Sequence, residues 1–312
     1  MGTENLENYK KKENLKKHIK RNKVVKLFLP AEKFINLNII RPACDSVYCR
    51  KREKHYRALE NGTVKRSKNE EMLEKLRNSH IGETAFIIGN GPSLHAADLD
   101  LLYEYNAYSF ACNRISLIFD ETKWRPDCYA AIDRKLLFSE SFAEDMITGQ
   151  NCEYYFFWSR FYECLPEKLK KDNVISIEQK PTNPYKVEKE FSDEPQKYLI
   201  SGYTVTNLSI QMAVYMGFTT LCVLGIDCKY ANEMDRRGNI KHNEGVKTYF
   251  KVSSDKTEKN TAFVAGMLQA YENAKDYAAR HNINIYNCSK DSCLEIFEHR
   301  DLETVLKEMN RK

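Results

Sequence analysis

Apolar residues come in short β-branched and aromatic bursts separated by helix-period stretches from residue 81 onward. Thr84 to Ile88 reads as a strand, followed by a glycine turn and a helix near His95 to Tyr103. Further strands are predicted at Ala107 to Cys112, Cys128 to Ile132, Glu153 to Trp158 and Val174 to Ile177. Residues 178 to 198 are polar and proline-punctuated, which predicts a surface loop or lid. A helix from about Tyr203 to Met216 stops at Gly217, and Thr219 to Leu224 is a strong strand running into Gly225-Ile226-Asp227. Residues 231 to 247 read as a charged, mobile loop. A long amphipathic helix over Thr261 to His281, a closing strand at Ile283 to Tyr286 and a last helix at Asp301 to Met309 complete the pattern. Alternating strands and helices imply an α/β, Rossmann-like fold, with a mostly parallel sheet covered by helices on both faces.

The first 80 residues differ. They hold 21 Lys and Arg against 10 Asp and Glu, so this basic, partly helical N-terminal extension carries +11 while residues 81–312 carry −6. Lys10-Lys11-Lys12, Lys16-Lys17, Lys20-Arg21 and Arg50-Lys51-Arg52 cluster around the apolar stretches Val24 to Pro30 and Phe34 to Ile40. Such a pattern suits an anionic membrane surface, a segment docked on the main domain, or a solvated arm. Nucleic acid is disfavoured, because no recognised nucleic-acid motif accompanies the charge.

The 312 residues suffice for one large α/β core plus that extension, divided at residues 1–80 and 81–312. No apolar run approaches the roughly 20 residues that span a bilayer, and the start has no signal-peptide core. The ten cysteines are scattered, several within apolar runs, which predicts reduced core residues in a cytoplasmic protein.

Chemistry concentrates at the strand ends. Gly89-Asn90-Gly91-Pro92-Ser93 joins a strand to a helix, as a phosphate-binding turn or as an ordinary connection. It matches neither GxGxxG nor GxxxxGK[ST]. Asn113, Asp133 and Asp227 also fall at strand ends, where open α/β sheets bind ligands. Ser201-Gly202 precedes a predicted helix and would form a second anion site there. Asp133 and Asp227 are alternatively helix caps or Mg²⁺ ligands at a diphosphate.

These blocks resemble the MptE-like domain family, named after an archaeal 6-hydroxymethylpterin diphosphokinase. The resemblance rests on Gly89 to Leu94, Asn113 to Phe119, Gly225-Ile226-Asp227, Asn284 to Asn287 and Leu294 to Phe297, and covers roughly residues 80 to 305. The same blocks are similar to bacterial sialyltransferases that use CMP-sialic acid to decorate lipooligosaccharide. That resemblance implies nucleotide and donor contacts from Gly89, Asn90, Gly91, Ser93, Asn113, Ser201 and Gly202. It also implies leaving-group stabilisation by Tyr230 and a general-base role for His242. Tyr198 stands where those enzymes carry an arginine, which argues against a carboxylated sugar. One residue is inserted between Asp227 and Tyr230.

The expectation is a nucleotide-dependent transferase for cell-surface polysaccharide or lipooligosaccharide synthesis. It would use a nucleotide-activated donor, CMP-sugar favoured, a glycan or lipid-linked acceptor and no cofactor, at the inner membrane face. The alternatives are Mg²⁺-dependent pyrophosphoryl transfer to 6-hydroxymethylpterin and a silent nucleotide-binding partner in envelope assembly.

Overall fold

The computed structural model describes residues 41–132, 146, 147, 149, 151–180, 182, 189–250 and 261–309. Two helices, α1 (Arg41–Glu60) and α2 (Lys68–Leu76), precede the sheet. Next come β1 (Thr84–Ile88), α3 (Ala96–Glu104), β2 (Ser109–Cys112), β3 (Cys128–Ala131), β4 (Tyr154–Trp158), α4 (Ser159–Tyr162) and β5 (Val174–Ile177). The short strands β6 (Gln179–Lys180) and β7 (Leu199–Ile200) lead into α5 (Val205–Tyr215) and β8 (Thr220–Leu224). A hairpin of β9 (Asn232–Met234) and β10 (Ile240–His242) follows. Then come α6 (Val264–Arg280), β11 (Asn284–Asn287), β12 (Glu298–His299) and α7 (Leu302–Met309).

Eight strands form one sheet in the order β12-β11-β8-β1-β2-β3-β4-β5, and every pairing in it is parallel. Period-2 alternation divides the buried side chains between the two faces. Ala85, Ile87, Phe110, Val223 and Phe156 pack with α2, α5 and α6 on one side. Phe86, Ile88, Tyr129, Phe157 and Leu224 pack with α3 and α7 on the other. The α/β class and the doubly covered parallel sheet are therefore as the hydrophobic pattern predicts.

The chain lays strands outward from β1 to β5, then crosses back to place β8 on the other side of β1, with Thr84 opposite Thr220. The carboxyl ends of β1 and β8 thus flank the point where the winding reverses. Connections diverge there and leave a crevice.

The N-terminal helices are docked on this body. Leu59, Leu73 and Leu76 are buried. The Ser67 hydroxyl accepts from Glu70 N–H while Glu70 accepts from Ser67 N–H, a reciprocal cap that starts α2. Asn69 takes Ser176 N–H at 2.7 Å and donates to Ser176 C=O at 3.0 Å, so its amide pairs with the backbone of the outer strand β5. In α1, Tyr48 donates to Glu178 at 2.6 Å, and Arg52 bonds the carbonyls of Lys197 and Gln196.

Two segments differ from expectation. Residues 189–198, within the predicted lid, are held down: Gln211 Oε1 accepts from Ser192 N–H and Ile200 N–H, and Gln196 is fully buried. An inward polar face of α5 satisfies this backbone, so its polarity does not mean exposure. The region 231–247 contains the β9–β10 hairpin rather than unstructured loop alone. All ten cysteines are free thiols. No described helix is long and apolar enough to cross a membrane. The lysine clusters before residue 41 lie outside the described residues.

Candidate functional site

A pocket opens at the switch point. The turn after β1 supplies Gly89, Asn90 and Gly91, and the end of β2 supplies Cys112 and Asn113. The start of α5 adds Thr204 and Thr206, and the stretch after β8 adds Asp227, Lys229 and Tyr230. Thr248 and Tyr249 close it from the loop beyond the hairpin.

The glycine turn is built by close approach. Gly89 N–H donates to Leu224 C=O at 2.7 Å and Gly91 N–H to Gly225 C=O at 2.8 Å. A Cβ on Gly89 would lie 2.3 Å from Gly225 O, and one on Gly91 only 2.0 Å from Asp227 Oδ2. Asp227 occupies that space because its Oδ2 accepts Ser93 N–H at 3.1 Å. The carboxylate therefore ties the β8 end to the start of the β1–α3 connection. Ser93 itself is buried beneath the turn rather than lining the pocket, and its hydroxyl has no partner among the described residues.

Asn90 donates to Cys112 C=O at 3.0 Å, and its own carbonyl accepts Phe250 N–H at 3.0 Å. Asn113 sits at φ 50°, the left-handed region that asparagine tolerates. Tyr129 OH donates to its carbonyl at 2.7 Å. The amide oxygens of Asn90 and Asn113 are both buried and without a donor among the described residues. A buried unpaired acceptor costs about 1–3 kcal/mol, so two beside one pocket call for a function.

Helix α5 presents its first turn to the pocket. Thr204 is extended and caps no N–H group with its side chain. Its hydroxyl is drawn instead into a cluster with Thr206, at 2.7 Å, and Tyr271, at 3.3 Å. Uncapped N–H groups at a helix start favour an anion. Ser201 and Gly202 stand earlier and do not line this pocket. Gly202, at φ 57°, and Tyr203, at φ 61°, form a left-handed turn that delays the helix until Val205. Gly202 instead walls a second, smaller cavity with Phe263 and Gly266. Thr204 and Thr206 are thus pocket residues that the sequence reading missed; their Thr-x-Thr spacing at the helix start was the available signal.

Tyr230 is half-buried in the pocket wall, and burial pushes its phenol well above the ordinary tyrosine range. It therefore stays protonated and able to donate. Burial also raises the thiols of Cys112 and Cys228 to about 12. His242 is exposed on β10 and does not line the pocket. Its Nδ1 donates to Asn232 Oδ1 at 2.5 Å across the hairpin, leaving Nε2 as the basic nitrogen. The neighbouring Asn243 donates to Tyr230 C=O at 3.0 Å, so the hairpin is fastened to the pocket wall. Asp133 lies outside the described residues. No three His, Cys, Asp or Glu side chains among the described residues are grouped to hold a metal ion.

Fold and pocket together define an α/β protein with a crevice at its topological switch point. The chain belongs to the 6-hydroxymethylpterin diphosphokinase MptE-like family, whose model matches residues 56–233. The match begins well before residue 80, taking in α2, and stops before the Asn284 to Phe297 blocks. No curated protein matches the chain. Among solved structures it is similar to the Maf glycosyltransferase from Magnetospirillum magneticum AMB-1, at 16% identity and a TM-score of 0.44, over 78% of this chain. The chain spans only 42% of that protein. It is also similar to the sialyltransferase CstII from Campylobacter jejuni, solved with the substrate analogue cytidine-5'-monophosphate. Identity there is 15%, the TM-score 0.44, and the coverage 70% of this chain and 85% of the other.

Proposed function

We propose that this protein is a nucleotide-dependent glycosyltransferase acting on a cell-surface glycan or its lipid-linked precursor, with a CMP-sugar as the favoured donor. One observation carries the reading. A single pocket joins an uncapped helix start, a protonated tyrosine and Lys229 to two asparagines whose buried oxygens lack donors. The nucleotide would supply those missing donors from ribose hydroxyls or an exocyclic amine, and place its phosphate at α5.

In this mechanism an acceptor hydroxyl oxygen forms a bond to the anomeric carbon as the bond to the nucleotide phosphate breaks. Nε2 of His242 takes the hydroxyl proton, held in the right tautomer by Asn232. The departing phosphate gains negative charge, which the α5 N–H groups, Thr204, Thr206, Lys229 and Tyr230 stabilise. His242 lies on a hairpin outside the pocket wall, so the acceptor would bind between hairpin and pocket.

The family match supports a second reading, transfer of diphosphate from ATP to 6-hydroxymethylpterin. Mg²⁺ would then neutralise the diphosphate. Asp227 Oδ1 is one carboxylate oxygen for it, since Oδ2 holds Ser93 N–H, and Asp133 is the other candidate ligand. Mg²⁺ commonly takes one or two carboxylates plus phosphate oxygens, and Asp227 could supply one of them.

A thermal-shift panel of CMP, CDP, UDP, GDP and ATP, with and without Mg²⁺, separates the two. Glycosyl transfer predicts stabilisation by CMP without metal. It also predicts that His242→Ala lowers turnover by roughly 10²–10⁴-fold while nucleotide binding persists. Replacing Asn113 with Gly keeps the left-handed backbone and should weaken CMP binding by about 1–3 kcal/mol. Stabilisation by ATP alone, with strict Mg²⁺ dependence and an active His242→Ala, transfers the assignment to the diphosphokinase. Nucleotide binding with no turnover of either kind leaves a silent binding protein.

A further inference from the structure

We propose that the outward face of α1 is a docking surface for an anionic lipid bilayer. The inward face of the helix is committed: Tyr48, Arg52, His55 and Leu59 are bonded to or buried against the body. The opposite face is exposed and basic. Arg50, Lys54 and Arg57 follow one another at helical spacing, with Lys51 beside them, and all four are exposed. The single carboxylate among them, Glu53, is taken by Arg57 at 3.0 Å and by Lys197. Among the described residues Lys51 and Lys54 form no ion pair.

Apolar groups stand within this charged stripe. Val47 is 45% exposed and Val64 is 42% exposed, and Val64 lines a shallow groove with Arg50, Lys54 and Arg57. A phosphate backbone gains nothing from a valine. A bilayer gains from both, because the headgroups take the cations and the acyl boundary takes the apolar side chains. That pairing selects a membrane over a nucleic acid.

Charge asymmetry adds orientation. Residues 41–80 hold 11 Lys and Arg against 6 Asp and Glu, a net of +5, whereas residues 81–312 carry −6, so an anionic surface attracts the α1 side and repels the rest. Tyr48 reaches Glu178, one residue beyond β5, whereas His55 reaches Glu70 of α2. The neighbouring Lys68 pairs with Asp172, ahead of β5. Helix α1 therefore runs from the carboxyl edge of the sheet toward its amino edge. Its start lies on the carboxyl edge, the edge on which the pocket opens, but beside β5, four strands from β1.

The test uses the full chain and vesicles of phosphatidylglycerol with phosphatidylcholine, against phosphatidylcholine alone, by co-sedimentation. Binding should require the anionic lipid and weaken as salt rises, since the Debye length shortens. Reversing Arg50, Lys51 and Lys54 to Glu should lower the partition constant by well over a hundredfold, because each basic residue near such a surface contributes roughly fivefold, so that losing three alone amounts to about a hundredfold. The matching Gln triple variant should fall between, and serves if the Glu variant melts early. Val47→Ser should weaken the binding that remains at high salt. Vesicle binding unchanged in the Gln variant overturns the proposal. So does a lowered melting temperature with vesicle binding intact, which would mean that the chain itself covers this face. Tighter binding to a single-stranded oligonucleotide that displaces the vesicles also overturns it. None of these measurements requires turnover, so they stand or fall independently of the transferase reading.

Discussion

The costs of Gly91→Ala and Asp227→Ala should not add, because both break the same bond. The new Cβ would lie 2.0 Å from Asp227 Oδ2 and 2.8 Å from Gly225 O. The side chain is the part that can move, so the carboxylate swings out and Ser93 N–H loses its acceptor. A bond to a charged acceptor is worth about 1.5–3 kcal/mol, and the lower end applies because Asp227 is half-exposed. Residual crowding against Gly225 O adds about 1 kcal/mol, the mild end of overpacking. Gly91→Ala should thus cost about 2.5 kcal/mol, and Asp227→Ala about 1.5 kcal/mol by losing the same bond. The double variant loses that bond only once, so it should cost about 2.5 kcal/mol rather than about 4, a coupling of about 1.5 kcal/mol. Urea unfolding of the four proteins measures this directly. Gly89→Ala is the contrast, because its Cβ would meet the backbone at Gly225 O, 2.3 Å away, where removing Asp227 gives no relief. Additive costs for Gly91→Ala and Asp227→Ala, within about 0.5 kcal/mol, would refute the carboxylate tie.

Two further outcomes follow from the outer layers. Asn69→Ala should cost about 1–3 kcal/mol in urea unfolding, since Ser176 N–H and C=O both lose their partner at the outer strand; a cost under about 0.5 kcal/mol would mean that water replaces the amide freely. Burial raises the Glu70 carboxyl, but the Ser67 backbone and hydroxyl bonds and His55 outweigh it and hold it below the ordinary value. A carboxyl lowered on folding stabilises above its unfolded pKa, and that contribution is lost as pH falls through the folded value. The stability gap between wild type and Glu70→Gln should therefore be widest near neutrality and shrink in acid, and a gap constant with pH would contradict the assignment.

The sheet was legible because its strands are dense apolar bursts. Thr84–Ile88 and Val174–Ile177 stand where the pattern placed them. Glu298–His299 was not, being two polar residues recruited only by pairing with β11. Nor was the docking of α1, whose inward contacts are made by Tyr48, Arg52 and His55 rather than an apolar stripe. At the pocket, Asn90, Asn113 and Asp227 could be found because strand ends converge in any parallel sheet. Ser201 misled because it looks like a cap, while two left-handed residues carry the chain on to Thr204. Thr248 and Tyr249 arrive from a loop whose return to the β1 turn, through Phe250 N–H, leaves no periodic trace.

The parallel pairing of Thr84 with Thr220 has a kinetic side. Strands β1 to β5 can associate with their neighbours as they emerge from the ribosome, but β1 must wait for β8 with one flank unpaired. Closing so long a loop is slow, because its entropy is lost before any contact is gained. The pocket draws on residues after β1, β2 and β8, so no early folding species contains it. Ligand would then act only on the finished molecule: it would slow unfolding without hastening folding, and binding capacity would appear last in any refolding time course.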